Sequence, residues 1–385
     1  MIWHKPTDEQ LQKYRKGCQI RKMRNPAIQI QQPEKYTIDT LQNVSELQLT
    51  QNNPMLEMIN AEKKCNDLRL VREIEKRSKE AQVQNLLEKL YSFQDNDFPT
   101  YHAYDSIIKS DSLVHRFKIV ACPLHCGDFY KNVCTGLSQY LNISQESTGQ
   151  SQTQVWFAER FVRITSSQRA HQIKTRRTNL EGLAKQFINQ SFKGALTPDM
   201  RYGIEMEPNA ASKFEELTGL AVHRVGLIIS KKQPFLACSP DGIIDNHGIF
   251  ELLEIKCPSS CKDSKIIDLE ARQIKVPYLI FENDSGNEIT LKRVDKYFTQ
   301  VQVSLYVLGL NSCHFFVYSL EDHVHIIIQR DEQFLSEVIP KIENFYFKYF
   351  ITLLKTNHFF ISGSLLLANT QAMNIMSSIL SNNSI

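Results

Sequence analysis

No run of eighteen apolar residues occurs in this 385-residue chain, so a membrane-spanning helix of ordinary length is not expected. The opening Met1-Ile2-Trp3-His4-Lys5 leads into polar sequence without the apolar core of a signal peptide. Secretion is therefore not expected, and an intracellular place, nuclear or cytoplasmic, is. Paired C-x-x-C spacing is also missing. The nine cysteines are an odd number with no framework spacing, which favours reduced thiols over a disulfide scaffold. An excess of one charge is missing too: 45 Lys and Arg against 42 Asp and Glu leave a net charge of only +3. The chain is no polycation, so any contact with nucleic acid must come from a local patch. What remains is the profile of a globular enzyme. Apolar residues make up 42% and charged residues 23%, with length for one sizeable domain and an accessory region.

Composition divides the chain near residue 150. Residues 1–55 are polar and Gln/Asn-rich with little periodicity, which reads as a flexible arm. Residues 56–150 read as a mainly helical accessory region. Within it, Met58, Cys65, Leu68, Leu70, Ile74, Val83, Leu86, Leu87 and Leu90 recur at helical spacing, predicting one long helix over 56–94. The heptad breaks between Glu75 and Gln82, so a supporting or weak coiled-coil helix is expected rather than a strict zipper. Cys122, His125 and Cys126, with Cys134 beyond, invite a zinc reading, but buried thiols beside a satisfied His suit that tight spacing better. The Ser/Gln stretch at 143–153 is expected to be a linker. Residues 151–355 form the main domain, and 356–385 a polar tail that frays.

The main domain reads as α/β. Helices are predicted from Ser167 to Arg177, with Ser166 or Ser167 as cap, and from Asn209 to Thr218, burying Ala210, Phe214 and Leu217 and ending at Gly219. Strands are predicted at Val222–Ile229, Leu236–Ile244, Phe250–Lys256, Cys313–Ser319 and Val324–Gln329. Tyr278–Arg293 reads as a hairpin around Asn283-Asp284-Ser285-Gly286. Tyr297–Leu308 reads as a helix with Val301, Leu305 and Leu308 inward.

The chemistry concentrates in Ser239-Pro240-Asp241-Gly242 and Leu253-Glu254-Ile255-Lys256-Cys257-Pro258. Residues two apart on a strand share a face, so Glu254 and Lys256 project together, and Asp241 can reach them from the preceding hairpin. Two carboxylates and an ammonium at one point suit a divalent cation and a positioned water. The Lys either orients or polarises that water, or steadies charge on a phosphate. Asp-Gly turns and Glu-x-Lys pairs are each common in scaffolds, but their order here is not. A second feature is basic. Arg160, Arg163, Arg169, Lys174, Arg176 and Arg177 fall in a stretch with no acid from Arg160 through Asn179, which favours contact with a phosphate backbone. Trp156 and Phe157 either stack on a terminal base or pack in the core.

These residues resemble the YqaJ-type viral recombinases, the lambda-exonuclease-like branch of the PD-(D/E)xK nucleases. Beyond Asp241 and Glu254-x-Lys256, the resemblance includes Trp156, Arg160 and Ile164-Thr165-Ser166-Ser167. It also includes Gly203, Glu207 and Ala210, then Tyr297-Phe298-Thr299-Gln300-Val301-Gln302, and Arg330-Asp331-Glu332. It implies a PD-(D/E)xK restriction-endonuclease-like core, with a mixed central sheet flanked by helices. Asp241 and Glu254 would ligate the metal, Lys256 would be the catalytic lysine, and Glu207 would add a further acid. Gln300 would orient Lys256 or the water. Arg160 would grip a terminal 5′-phosphate with help from Ser167. Pro208 departs from the pattern and suggests that its helix begins after Glu207.

The expected function is a Mg²⁺-dependent deoxyribonuclease, with Mn²⁺ as substitute, degrading linear duplex DNA with 5′-phosphate ends in the 5′→3′ direction. A structure-selective endonuclease and a non-catalytic DNA-binding module are the alternatives. Homo-oligomerisation is left open.

Overall fold

The computed structural model describes residues 69, 70, 72, 81–103, 122–133, 136–190, 197–282 and 288–357. The arm at 1–55, most of the helix expected at 56–80, Cys134, the turn at 283–287 and the tail beyond 357 lie outside the described residues. From 81 onward the chain belongs to one compact unit, Glu75–Ile385. Among the described residues no helix is long and apolar enough to cross a membrane.

Nine helices are labelled here: α1 (81–93), α2 (Gly127–Val133), α3 (Leu137–Glu146), α4 (Gln154–Phe161), α5 (Gln168–Thr175), α6 (Leu180–Gln190), α7 (Pro198–Thr218), α8 (Lys296–Leu308) and α9 (Glu332–Phe345). The central sheet has five strands in the order β12-β11-β6-β5-β2, spanning His323–Gln329, Ser312–Tyr318, Ile249–Lys256, Gly242–Asn246 and Val222–His223. It is mixed: β6 and β11 run parallel, and the other neighbours are antiparallel. A second sheet joins β1 (Ile164–Thr165), β4 (Leu236–Cys238) and β3 (Ile228–Ile229). Small hairpins pair β7 (Ile267–Asp268) with β8 (Gln273–Ile274) and β9 (Leu279–Phe281) with β10 (Ile289–Leu291). The mixed α/β architecture matches the expectation.

Strand β6 explains why the sheet is covered on both sides. Phe250 and Leu252 enter the main apolar core, while Leu253 and Ile255 join Ala210, Phe214, Ile244 and Phe316 beneath α7. A run apolar on both faces is what a central, doubly covered strand requires. Two predicted strands are interrupted: 222–229 resolves into β2 and β3, and 236–244 into β4 and β5. The second break, Ser239-Pro240-Asp241, carries the chain from one sheet to the other.

Three expectations are corrected. The stretch at 143–153 is not a linker: α3 runs through it to Glu146, and Ser144 and Ser147 are fully buried. Ser144 Oγ donates to Leu227 O at 2.8 Å, and Leu227 N donates to Ser147 Oγ at 2.8 Å. The serines read as solvent-loving, but they satisfy backbone groups of the neighbouring chain instead. Helix α7 begins at Pro198, not after Pro208, because Thr197 caps it by accepting from Met200 N and Pro198 fills the first turn. Pro208 sits inside this helix, where the carbonyl four residues earlier belongs to Ile204, a residue 41% exposed. Leu217, expected inward, is 46% exposed, whereas Ala210 and Phe214 are buried as expected.

Helix α1 is fixed to the core. Leu86, Leu87, Leu90 and Tyr91 are buried, Tyr91 Oη accepts from Ile229 N at 3.2 Å, and Gln94 brackets β3 through Ile229 O and Lys231 N. Gly309 ends α8 with φ +68, and a Cβ there would lie 2.5 Å from Phe93 O. Only glycine permits both the left-handed turn and that approach.

Candidate active site

Gly242 pairs with Leu253 in the antiparallel register of β5 and β6. One residue further along, that register sets Asp241 across from Glu254. Ile255 N donates to Asp241 Oδ2 at 2.8 Å, which fixes the aspartate at the mouth of the hairpin. Lys256 follows on the same face of β6 as Glu254. Its ammonium contacts Glu254 Oε1, lies 3.7 Å from Asp241 Oδ2 and donates to Ile255 O at 2.8 Å. From α8, Gln300 Nε2 donates to Glu254 Oε1. The Tyr297 ring lies 5.0 Å from the Lys256 ammonium. Asp241, Glu254, Lys256 and Gln300 are thus brought together as expected.

Electrostatics define what the cluster lacks. The Glu254 side chain is 1% exposed, and burial, reinforced by Asp241 and only partly offset by Lys256, pushes its pKa up to about 8. Burial alone would pull Lys256 down, but Glu254 and Asp241 reverse the effect and hold it above the ordinary lysine range. Glu207, on α7, is pushed up to about 7 by burial and then by Asp241. Arg224 meets it at 3.4 Å and partly offsets the rise. Glu254 and Glu207 are therefore under-compensated by the cations present.

Among the described residues no three His, Cys, Asp or Glu side chains converge closely enough to enclose a metal ion. The Lys256 ammonium bridges Asp241 and Glu254 instead. The donor set nonetheless fits a hard cation. Glu254 Oε2 is buried with no hydrogen-bond partner, an orphaned oxygen of the kind a cation would satisfy, and the neighbouring donors are carboxylate oxygens. In the Cys122–Cys126 segment, Cys126 is buried with Sγ 3.9 Å from Thr352 Oγ1.

A second side-chain group is tied to the cluster through the Ser239-Pro240-Asp241 link. Arg160, from the end of α4, donates to Ser239 Oγ and to Ser167 Oγ, each at 3.2 Å. Its guanidinium stacks over the Trp156 ring at 4.1 Å, and Trp156 Nε1 donates to Ser239 Oγ at 2.9 Å. Thr165 Oγ1 lies 3.1 Å from Ser167 Oγ. Among the described residues no carboxylate pairs with Arg160. Burial, then repulsion from Arg169, lowers its pKa to about 9. Ser167 holds the N-cap position of α5, yet its side chain makes no capping bond. Its hydroxyl serves Arg160 instead. Phe157, packed edge-on against Trp156, is 50% exposed.

The remaining basic residues divide. Arg176 and Arg177 are exposed at the end of α5. Lys174 is half-buried, 4.8 Å from the Phe334 ring and 3.4 Å from Thr299 Oγ1. Arg163 is not on the expected phosphate-contacting face. It is 1% exposed, pairs with Glu159, and donates to Pro234 O at 3.0 Å and Val133 O at 2.9 Å. Arg169 likewise turns inward: its Nη1 reaches the carbonyls of Arg160, Phe161 and Arg163, and its guanidinium lies 5.2 Å from the Phe187 ring. Arg169 satisfies the backbone where α4 ends, and Arg163 ties α4 to the carbonyls of Pro234 and Val133, roles that a basic run does not distinguish from an outward one.

Sequence reasoning quoted Ser239 and Tyr297 within their motifs but gave no role to either: Ser239 joins Arg160 and Trp156, and Tyr297 lies beside Lys256. The usable signal for Ser239 was its place two residues before Asp241. Gln150 was also passed over: its Nε2 donates to Pro240 O at 2.9 Å and props the same link from the segment read as a linker.

No curated protein matches the chain. Among solved structures, the chain is similar to an alkaline exonuclease from Laribacter hongkongensis at 25% identity and a TM-score of 0.40. That match covers 54% of this chain and 98% of the other. It is also similar to a phage-related exonuclease from Haemophilus somnus 129PT at 13% identity and a TM-score of 0.36, covering 50% and 96%. The model of the YqaJ-like viral recombinase domain matches residues 155–311, a span that holds Arg160, Ser167, Glu207, Asp241, Glu254, Lys256 and Gln300.

Proposed function

We propose that the chain is a Mg²⁺-dependent exodeoxyribonuclease that degrades one strand of linear duplex DNA from a 5′-phosphorylated end. One observation carries the reading: a buried Asp241–Glu254–Lys256 cluster with an orphaned carboxylate oxygen, two residues along the chain from a serine that holds an arginine no described carboxylate neutralises. Asp241 and Glu254 would hold the cation, with Glu207 adding charge nearby. When bound, the cation supplies Lewis-acid polarisation of a phosphoryl oxygen and lowers the pKa of water.

The chain's own residues do the rest. Gln300 fixes the Glu254 carboxylate by donating to Oε1, which leaves Oε2 for the cation. Lys256, once drawn off its two carboxylates, steadies the charge that grows on the scissile phosphate. Arg160 presents a planar fork, stacked and hydrogen-bonded in place, that can take two free oxygens of a terminal phosphate. Ser167 and Ser239 hold that fork. Arg176 and Arg177, exposed beyond the pocket, are placed to meet the sugar-phosphate backbone without reading sequence.

The test compares end-labelled linear duplex, with 5′-phosphate or 5′-hydroxyl, against covalently closed circles. Digestion in Mg²⁺ but not EDTA, faster on 5′-phosphate and absent on circles, is expected. Ready nicking of circles with no phosphate preference would move the chain to the endonuclease alternative. No cleavage of any DNA would leave it a binding module.

A further inference from the structure

At the far end of α8 from Gln300 lies a narrow, solvent-open cleft that the nuclease reading does not use. Its lining includes Phe98, Thr100, Ser230, Lys232, Tyr306 and Arg330. It lies between the segment that follows α1 and the ends of α8 and β12. No acidic side chain lines it.

Arg330 is its centre. The side chain is only 4% exposed, and its guanidinium lies between two rings, 4.3 Å from Phe98 and 5.4 Å from Tyr306. Nε donates to Glu332 Oε1 at 2.7 Å, and Nη1 donates to Leu305 O at 3.0 Å. Nη2 is buried with no partner among the described residues. A guanidinium carries its charge at any physiological pH, and a buried donor left unpaired is costly. The rings and the two satisfied nitrogens fix the plane of the fork, so the free edge is preorganised rather than mobile.

The rest of the cleft lining is rich in donors. Lys232, across the cleft lining, anchors the 96–98 backbone through Asn96 O at 3.1 Å and Phe98 O at 3.4 Å. Ser230 accepts from Gln233 N at 3.1 Å, which leaves its hydroxyl proton for another acceptor. Thr100 adds a second hydroxyl. Glu332 offsets one of the two cations, so the balance remains positive.

We propose that this cleft is a binding site for a phosphate monoester or free phosphate, held by Arg330 Nη2 and Lys232 with hydroxyl donors from Ser230 and Thr100. A tetrahedral oxyanion matches a guanidinium edge and a nearby ammonium. Phe98, half-buried at the rim, offers a ring face to a base if the phosphate belongs to a nucleotide.

The experiment uses the full chain carrying Arg160→Ala, in EDTA, so that neither the proposed DNA-end pocket nor a bound metal contributes. Inorganic phosphate and a nucleoside 5′-monophosphate are titrated separately at constant ionic strength and followed by calorimetry. Saturable one-to-one binding is expected, weakened at least tenfold by adding Lys232→Ala or Arg330→Gln. Equal affinity for the two probes assigns the site to free phosphate. Tighter binding of the monophosphate, lost with Phe98→Ala, assigns it to a nucleotide. Lys232 is exposed, so its variant decides the matter if Arg330→Gln does not fold. No saturable binding in the parent, or unchanged affinity in Lys232→Ala, overturns the proposal. Either result is independent of whether the protein cleaves DNA.

Discussion

Replacing Glu254 by glutamine should flatten the pH dependence of the metal-free protein's stability while abolishing its response to Mg²⁺. The Glu254 carboxyl ordinarily titrates near 4.5, and in the fold it is raised to about 8. A carboxyl raised by folding contributes stability that is fully present below its unfolded pKa and lost as pH climbs through its folded one. The metal-free protein should therefore weaken between about pH 4.5 and pH 8. A rise from 4.5 to about 8 corresponds to about 5 kcal/mol at the upper limit. Glu207 draws on the same repulsion through Asp241, so its shift is not a separate gain. The amide introduced by Glu254→Gln would carry no charge at any pH, which flattens the curve. Mg²⁺ competes with the proton for Glu254, so its stabilisation of wild type should be small at pH 6 and large at pH 8.5. At a hundredfold excess over the dissociation constant, binding adds about 2.7 kcal/mol, or roughly 5–10 °C in Tm for a domain of this size. Thermal melts of wild type and Glu254→Gln, with and without Mg²⁺ at both pH values, measure all of this. An equal Mg²⁺ gain at pH 6 and pH 8.5 would refute the reasoning. So would a gain retained in Glu254→Gln.

Other expectations are simpler. Lys256→Ala should lower kcat by about a hundredfold or more while DNA affinity changes far less, because one preorganised charge acts in the transition state. Single-turnover cleavage beside a filter-binding titration separates the two effects. Arg160→Ala should slow digestion of 5′-phosphorylated duplex strongly and of 5′-hydroxyl duplex little, whereas Arg176→Ala should weaken binding to both, with a shallower salt dependence. Matched substrates differing only in the 5′ group check this. Arg163→Ala should cost about 3–5 kcal/mol of stability by leaving Glu159 and two carbonyls unserved, and the fraction that folds should bind DNA as wild type does. Urea melts and binding titrations on the same preparation distinguish that from a DNA-contact role. Mn²⁺ should replace Mg²⁺ in cleavage, and Ca²⁺ should bind without turnover because its loose coordination misplaces the water. Rapid cleavage in Ca²⁺ would count against the hard-cation site.

The cluster was legible in the sequence because its chemistry is local. Glu254 and Lys256 alternate on one strand, Asp241 closes the hairpin next to them, and the strand period alone sets them together. Helix α8 was equally plain, since Val301, Leu305 and Leu308 carry its buried face and Gly309 its stop. What was not legible depended on partners distant in the chain. Ser144 and Ser147 look like linker residues until the Leu227 backbone arrives to bond them. Arg163 and Arg169 share the composition of Arg176 and Arg177, and only the tertiary packing decides which point inward. The start of α7 was misplaced for a different reason. Thr197-Pro198-Asp199 is a strong N-terminal signal, but Pro208 appeared to be the more powerful breaker. The Thr197 cap and Pro198 in the first turn outweigh it.

The link Ser239-Pro240-Asp241 joins two sheets, and it also joins grip to blade. Ser239 belongs to the Arg160 cluster and Asp241 to the carboxylate cluster, and two residue steps can separate their backbones by no more than about 7 Å. Proline stiffens the middle, and Gln150 braces it from outside. On the proposed reading the enzyme carries a molecular ruler. The length of each released fragment is then set by a fixed spacer in the protein rather than by competition between cutting and sliding. Lengthening that spacer by one glycine should blur the product ladder before it lowers the rate.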